Sequence, residues 1–172
     1  FPVEEIAAIC RSKSVSCHTD AVQVAGKLPI DVKGLGVDLL SLSAHKFHAP
    51  KGVGLLYVRS HSRFQPHIIG GQQERGRRGG TENLAGIVGM ARAAELASAH
   101  LTEENTRVRA LRDGLGRGVL KAVPGTARNG AREPRLPNTA NLSFEGVEAE
   151  GMLMALDQAG ICASGGSACT SG

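Results

Sequence analysis

Residues 37–58 read VDLLSLSAHKFHAPKGVGLLYV: an apolar run, a cluster of histidine, lysine, proline and glycine, then a second apolar run. Short apolar runs bounded by turn residues read as buried strands, so VDLLSLSAH and GVGLLYVRS are expected to be two strands of one sheet. The polar stretch 43–54 must then sit where a strand ends. In open α/β sheets ligands gather at the carboxyl ends of strands, so this turn is a candidate site as well as a surface loop.

The rest of the chain limits what such a sheet can belong to. Its 172 residues are 41% hydrophobic, enough for one large domain or parts of two. Only 3% are aromatic and none is Trp, so the core must be built from Val, Leu, Ile and Ala. The net charge of +4 is modestly basic. A nucleic-acid partner is not expected, because stacking aromatics and a regular basic stripe are both missing, and QERGRRGG reads as a solvated loop. No stretch approaches the ~18–20 apolar residues that span a bilayer, and no signal peptide opens the chain. A cytoplasmic protein is therefore expected, its four cysteines (Cys10, Cys17, Cys162 and Cys169) being thiols in a reducing compartment. Their spacing fits no paired zinc pattern. A chain that starts on Phe1 and ends on CTSG reads as a piece of a longer protein.

FPVEEIAAICRSK reads as a helix, with Pro2 and two glutamates in the first turn and Val3, Ile6 and Ile9 or Cys10 on one face. SVSCHTD is a short β-prone run. A long helical pattern begins at NLAGIVG and continues to LKAV, rich in Ala, Leu, Glu and Arg and weakened by glycines. PGTARNGAREPRLPN is loop with room for a short strand, TANLSFEG alternates like a strand, and EAEGMLMALDQAG is an amphipathic helix. Strands and helices alternate in the first half, which favours an α/β sheet, and the second half reads as a separate α+β piece. The boundary is expected near residue 100, giving units 1–100 and 101–172.

Two strand ends are polar, HTDAVQ and SAHK. Asp20, Gln23, Ser43, His45 and Lys46 are thereby candidates for one crevice. Taken singly, an acid after a strand is usually a turn former and a lysine is usually solvated. It is the joint placement that makes them candidates. Cys169, in the small-residue loop SGGSACTSG, is a candidate nucleophile on a segment able to swing, whereas Cys162 reads as buried and structural.

HTDAVQVAGKLPIDV, SAHKFHAPKGVGLLYVR, GGQQERGRRGGTEN and CASGGSACTSG, in that order, resemble motifs of the cysteine desulfurases of the NifS/IscS type, closest to the NifS branch. The resemblance implies part of the large domain of a pyridoxal-phosphate-dependent transferase, a mainly parallel sheet flanked by helices, plus part of a smaller α+β domain. It implies pyridoxal 5'-phosphate as cofactor. Lys46 would hold it as a Schiff base and then shuttle protons, Asp20 would pair with the pyridinium nitrogen, and Gln23 would bond the phenolic oxygen. Ser43 and His45 would grip the phosphate, with Thr81 reaching in from a second subunit of a homodimer. Cys169 would take sulfur from L-cysteine as a persulfide, release L-alanine, and pass the sulfur to an iron–sulfur scaffold protein, with nitrogenase as one destination. No metal is implied, and His48 and Lys51 are expected to be scaffold or rim residues. Gly165 stands where relatives carry serine. Other family residues would lie outside this chain, so the piece alone is expected to be weakly active or inactive. A selenocysteine lyase, and a degenerate scaffold member without activity, are the alternative readings.

Overall fold

A computed structural model of the protein describes residues 1–166. The described chain divides into two compact units, Phe1–Arg109 with Leu136–Asn138, and Ala110–Arg135 with the described residues from Thr139 onward.

The first unit opens with helix α1, Val3–Ser12, started by Pro2 and by acids at Glu4 and Glu5 that suit the positive end of the helix dipole. Its buried stripe is Val3, Ala7 and Cys10, spaced four and three residues apart. Ile6 and Ile9, expected on that face, are exposed. The small Ala7 sits at the centre of the stripe and is 2% exposed, so the helix lies close to the sheet.

Strand β1, His18–Asp20, pairs in parallel with β2, Leu39–Ser43, with Asp20 opposite Ser41. A short helix α2, Val32–Leu35, is capped by Asp31, whose side chain accepts from Lys33 N, and lies in the crossover between them. β3, Gly54–Val58, runs antiparallel to β2, from Ser43 opposite Gly54 to Leu39 opposite Val58. The α/β class expected from the alternation is found, with a mixed sheet in the order β1-β2-β3. The antiparallel pairing follows from chain length: residues 44–53 are too few for the crossover of about a dozen residues that a parallel return needs. Expected to be a buried strand, β3 has Leu55 and Leu56 exposed among the described residues.

Two apolar clusters hold this unit. Leu40 and Val37, 1% and 0% exposed, centre the first with Ala7, Cys17 and Ala21. The second joins Ala25, Ala44, Phe47 and Met90 and packs beneath the turn that follows β2. Gly26 is required there: its φ is 73°, and a Cβ would meet Phe47 Cβ at 3.0 Å. A single turn α3, Gln73–Gly76, with Glu74 and Arg75 at φ 49° and 60°, interrupts the loop that leads to the long helix.

Helix α4, Leu84–Ala122, is the 39-residue run expected from the Ala/Leu/Glu/Arg pattern. Asn83 Oδ1 accepts from Gly86 N at 3.0 Å and caps its start. Along it, Arg92–Glu95 at 2.9 Å and Glu104–Arg107 at 2.6 Å are one-turn ion pairs, both exposed and screened by solvent. In the second unit β4, Thr126–Arg128, pairs antiparallel with β5, Leu142–Phe144, and α5 spans Ala149–Gln158. Arg112, 7% exposed, is held by Asp113 at 2.8 Å and Glu133 at 3.2 Å. Two carboxylates, themselves partly exposed, compensate the charge of this buried guanidinium.

Two substitutions separate core from helix. Leu40→Ala removes a side chain from the most enclosed point of the sheet and is expected to destabilise the protein by about 2–5 kcal/mol. Gly114→Ala, where an added Cβ meets nothing within 4 Å, is expected to stabilise α4 by about 0.5–1 kcal/mol. Urea unfolding of the two variants beside the parent checks both signs.

Candidate active site

The candidate residues are presented by the ends of two parallel strands. Asp20 is the last residue of β1, and its Oδ1 accepts from Val22 N at 2.8 Å, an Asx turn that fixes the carboxylate at the strand end. Ser43 is the last residue of β2, two positions beyond the partner of Asp20, so both lie at the same edge of the sheet. One residue farther the chain enters a 3-10 turn, Ala44–Phe47.

This turn sorts its residues by burial. Three residues per turn place Ala44 and Phe47 on one side, where they are 0% and 5% exposed. His45 and Lys46, between them, face outward. Ser43 Oγ and His45 Nδ1 share a hydrogen bond at 2.9 Å. The turn ends at His48 in the left-handed conformation, φ 69°, and Ala49 N donates back to Ala44 O at 3.2 Å.

Lys46 also borders a cleft of about 620 Å³ with Lys27, His48, His100 and Asn105. Asp20, Gln23, Ser43 and His45 do not line it. Lys27 Nζ donates to Gln23 O at 2.9 Å, and Asn105 Nδ2 donates to Lys27 O, while Asn105 Oδ1 is buried with no hydrogen-bond partner among the described residues. Burial, and then the charge on Lys46, push the Lys27 amine below the ordinary lysine value. Sequence reasoning missed Lys27, His100 and Asn105. The signal was present in α4, where Ala93, Leu96, Ala97, His100, Glu104 and Val108 recur at helical spacing along the cleft wall.

The donor set at the sheet edge fits pyridoxal phosphate. A carboxylate held by one oxygen suits a ring nitrogen, a hydroxyl and imidazole one residue apart suit a phosphate, and an exposed primary amine suits an aldehyde. Gln23 is exposed in the turn after β1. Thr81 is exposed in the loop before α4, with no hydrogen bond to the other candidates among the described residues.

The cysteines divide by exposure. Cys17 is buried and Cys10 half-buried, both beneath the sheet, and burial, then neighbouring Cys10, push the Cys17 thiol up. Cys162, expected to be buried, is exposed: it follows α5 in an extended stretch of small residues that packs no apolar cluster. Cys169 lies outside the described residues. Among the described residues no group of histidine, cysteine and carboxylate side chains is arranged to hold a metal, and no helix is long and apolar enough to cross a membrane.

The model of the class-V aminotransferase family matches residues 1–171. A cysteine desulfurase of Gluconacetobacter diazotrophicus is 56% identical over all of this chain and 43% of its own length. The cysteine desulfurase NifS of Azotobacter vinelandii is 54% identical over the same shares. Among solved structures, a NifS-like protein from Rickettsia africae superposes with a TM-score of 0.89 at 33% identity, over 96% of this chain and 46% of that one. A second NifS-like protein gives 0.86 at 42% identity, over 93% and 44%. The chain thus spans less than half the length of the curated relatives it matches.

Cys17 keeps its proton longer in the folded than in the unfolded chain. Stability is therefore full below the ordinary thiol value of 9.0 and falls as pH rises through and above it. Urea midpoints from pH 7 to 10 are expected to drop less in Cys17→Ala than in the parent. At pH 8, peptide mapping after iodoacetamide treatment is expected to find Cys162 alkylated at least about tenfold faster than Cys17.

Proposed function

The chain belongs to the class-V aminotransferase family, and from that premise we propose that it is part of a pyridoxal-phosphate-dependent cysteine desulfurase. The observation that carries this reading is the strand-end arrangement. Asp20 closes β1, the Ser43–His45 pair closes the parallel strand β2, and Lys46 follows on an anchored turn.

Bound at this edge, pyridoxal phosphate supplies an electron sink for the carbon of an attached amino acid. Asp20 would hold a proton on the ring nitrogen through its carboxylate, and Gln23 would hydrogen-bond the phenolic oxygen. Ser43 and His45 would hold the phosphate, with Thr81 contributed from the second subunit of a homodimer. Lys46 Nζ would hold the cofactor's aldehyde and would supply an amine able to move a proton at the substrate carbon. Gly26, Ala44 and Phe47 keep that amine at a constant height above the core.

Cys169 is the nucleophile in this reading, on the strength of its motif. Its thiolate forms an S–S bond to the sulfur of L-cysteine as the substrate C–S bond breaks. The carbon gains a proton and leaves as L-alanine, and Cys169 is left as a persulfide. An iron–sulfur scaffold protein in the cytoplasm, serving nitrogenase maturation among other uses, takes the sulfur. The NifS name of the Azotobacter relative supports the nitrogen-fixation link.

Two variants of the whole protein test the assignment. Lys46→Ala is expected to lose the visible absorbance of the bound cofactor together with alanine release. Cys169→Ser is expected to keep the absorbance and lose at least about a thousandfold in sulfur transfer, the scale of removing an essential nucleophile. Normal transfer by Cys169→Ser sinks the nucleophile assignment, and unchanged absorbance in Lys46→Ala sinks the lysine.

A further inference from the structure

The opposite end of β2 carries a second concentration of charge. Arg59 N donates to Asp38 O at 2.8 Å just before β2 begins, roughly 15 Å along the strand from Ser43. Here the segment after α1 and the segment after β3 enclose a cleft of about 550 Å³. Its lining includes Arg11, Arg59 and Arg63 against one carboxylate, Asp38.

Two of the guanidinium groups are held in place. Arg11 Nη2 donates to Gly36 O at 3.1 Å, and Arg59 Nη1 lies 3.9 Å from Asp38 Oδ1. Asp38 is itself occupied, because its Oδ2 accepts from Cys17 N at 2.9 Å. Arg63 has no hydrogen bond or ion pair among the described residues, so its fork is available.

The cleft walls also keep side chains where glycine is the easier residue. Ser14, just past the end of α1, has φ 54°, and His61, in the turn closed by Ser62 N donating to Arg59 O at 3.0 Å, has φ 71°. Both are left-handed positions that glycine occupies without steric cost. Both residues instead bring a polar side chain to this cleft. Serine hydroxyls fill much of the remaining wall, and Val15 is its one apolar residue.

We propose that this cleft binds a small phosphate-bearing anion. Planar guanidinium forks match the geometry of a phosphate, and hydroxyl donors serve its remaining oxygens. The volume holds more than one phosphate group. No Phe, Tyr or Trp lines the cleft, so its guanidinium and hydroxyl groups, rather than a large stacking surface, hold the anion, which is of the pyrophosphate or phosphorylated-polyol kind.

The test is calorimetric titration of inorganic pyrophosphate into the cofactor-loaded protein, in which the phosphate grip at Ser43 and His45 is already filled. Saturable binding of one equivalent per chain is expected, weakened at least about tenfold in Arg63→Gln, an exposed position whose change leaves the core untouched. His61→Gly is expected to weaken binding as well while raising the thermal midpoint, because it removes the ring and relieves the left-handed backbone. Absence of saturation overturns the proposal, as does unchanged affinity in Arg63→Gln. So does tight binding of poly-glutamate that pyrophosphate cannot displace, which would make the cleft a docking face for an acidic polypeptide.

Discussion

Burial of Ala44 and Phe47 beneath a single 3-10 turn is the contact on which the candidate site rests. The two residues are one turn apart, so driving both into the cluster with Ala25 and Met90 leaves His45 and Lys46 no direction but outward. Hydrophobic burial here sets the direction of polar groups that have no packing preference of their own. Gly26 sets the depth of that seat, since any side chain there would strike Phe47. Gly89 does the same for α4, where a Cβ would meet Pro50 Cγ at 2.9 Å, so the helix lies directly on the loop that leaves the turn.

The mixed sheet then gives β2 two chemically different ends. At its carboxyl end the parallel neighbour β1 brings an acid alongside a hydroxyl–imidazole pair and an amine. At its amino end the antiparallel neighbour β3 returns basic side chains beside Asp38. One central strand, paired once in each sense, is enough to separate an acid, a hydroxyl–imidazole pair and an amine at one end from a mostly cationic set at the other. Neither would survive a one-residue slip of register, which would turn Leu40 out of the core and the strand-end serine with it.

Much of this was legible in the sequence, and the exceptions have physical causes. The long helix showed through Ala, Leu, Glu and Arg, and the strand at Leu39–Ser43 through its unbroken apolar run. The polar residues Asp20 and Ser43 marked where the two parallel strands end. What could not be read was which apolar residues found cover. Ile6 and Ile9 share spacing with Val3, but Ala7 takes the buried centre because only a small residue admits the close approach of α1. LLYV looks buried by composition, yet Leu55 and Leu56 are exposed among the described residues. Cys162 sits among small residues that composition cannot tell from a packed turn. The cleft beside Lys46 escaped notice because Lys27 and Asn105 meet across 78 positions of chain, a separation no local pattern carries.

The alternation inside the 44–47 turn has a consequence for how such a protein can change over generations. Residues that hold the backbone and residues proposed to touch the chemistry are neighbours in the chain, yet they face opposite sides of it. Exchanging His45 or Lys46 alters what the surface can react with while leaving the cluster under Phe47 intact. Exchanging Ala44 or Phe47 does the reverse. Activity and foldability therefore lie on nearly independent mutational axes. A descendant can fall silent as a catalyst, or acquire a different reaction, by passing only through folded intermediates.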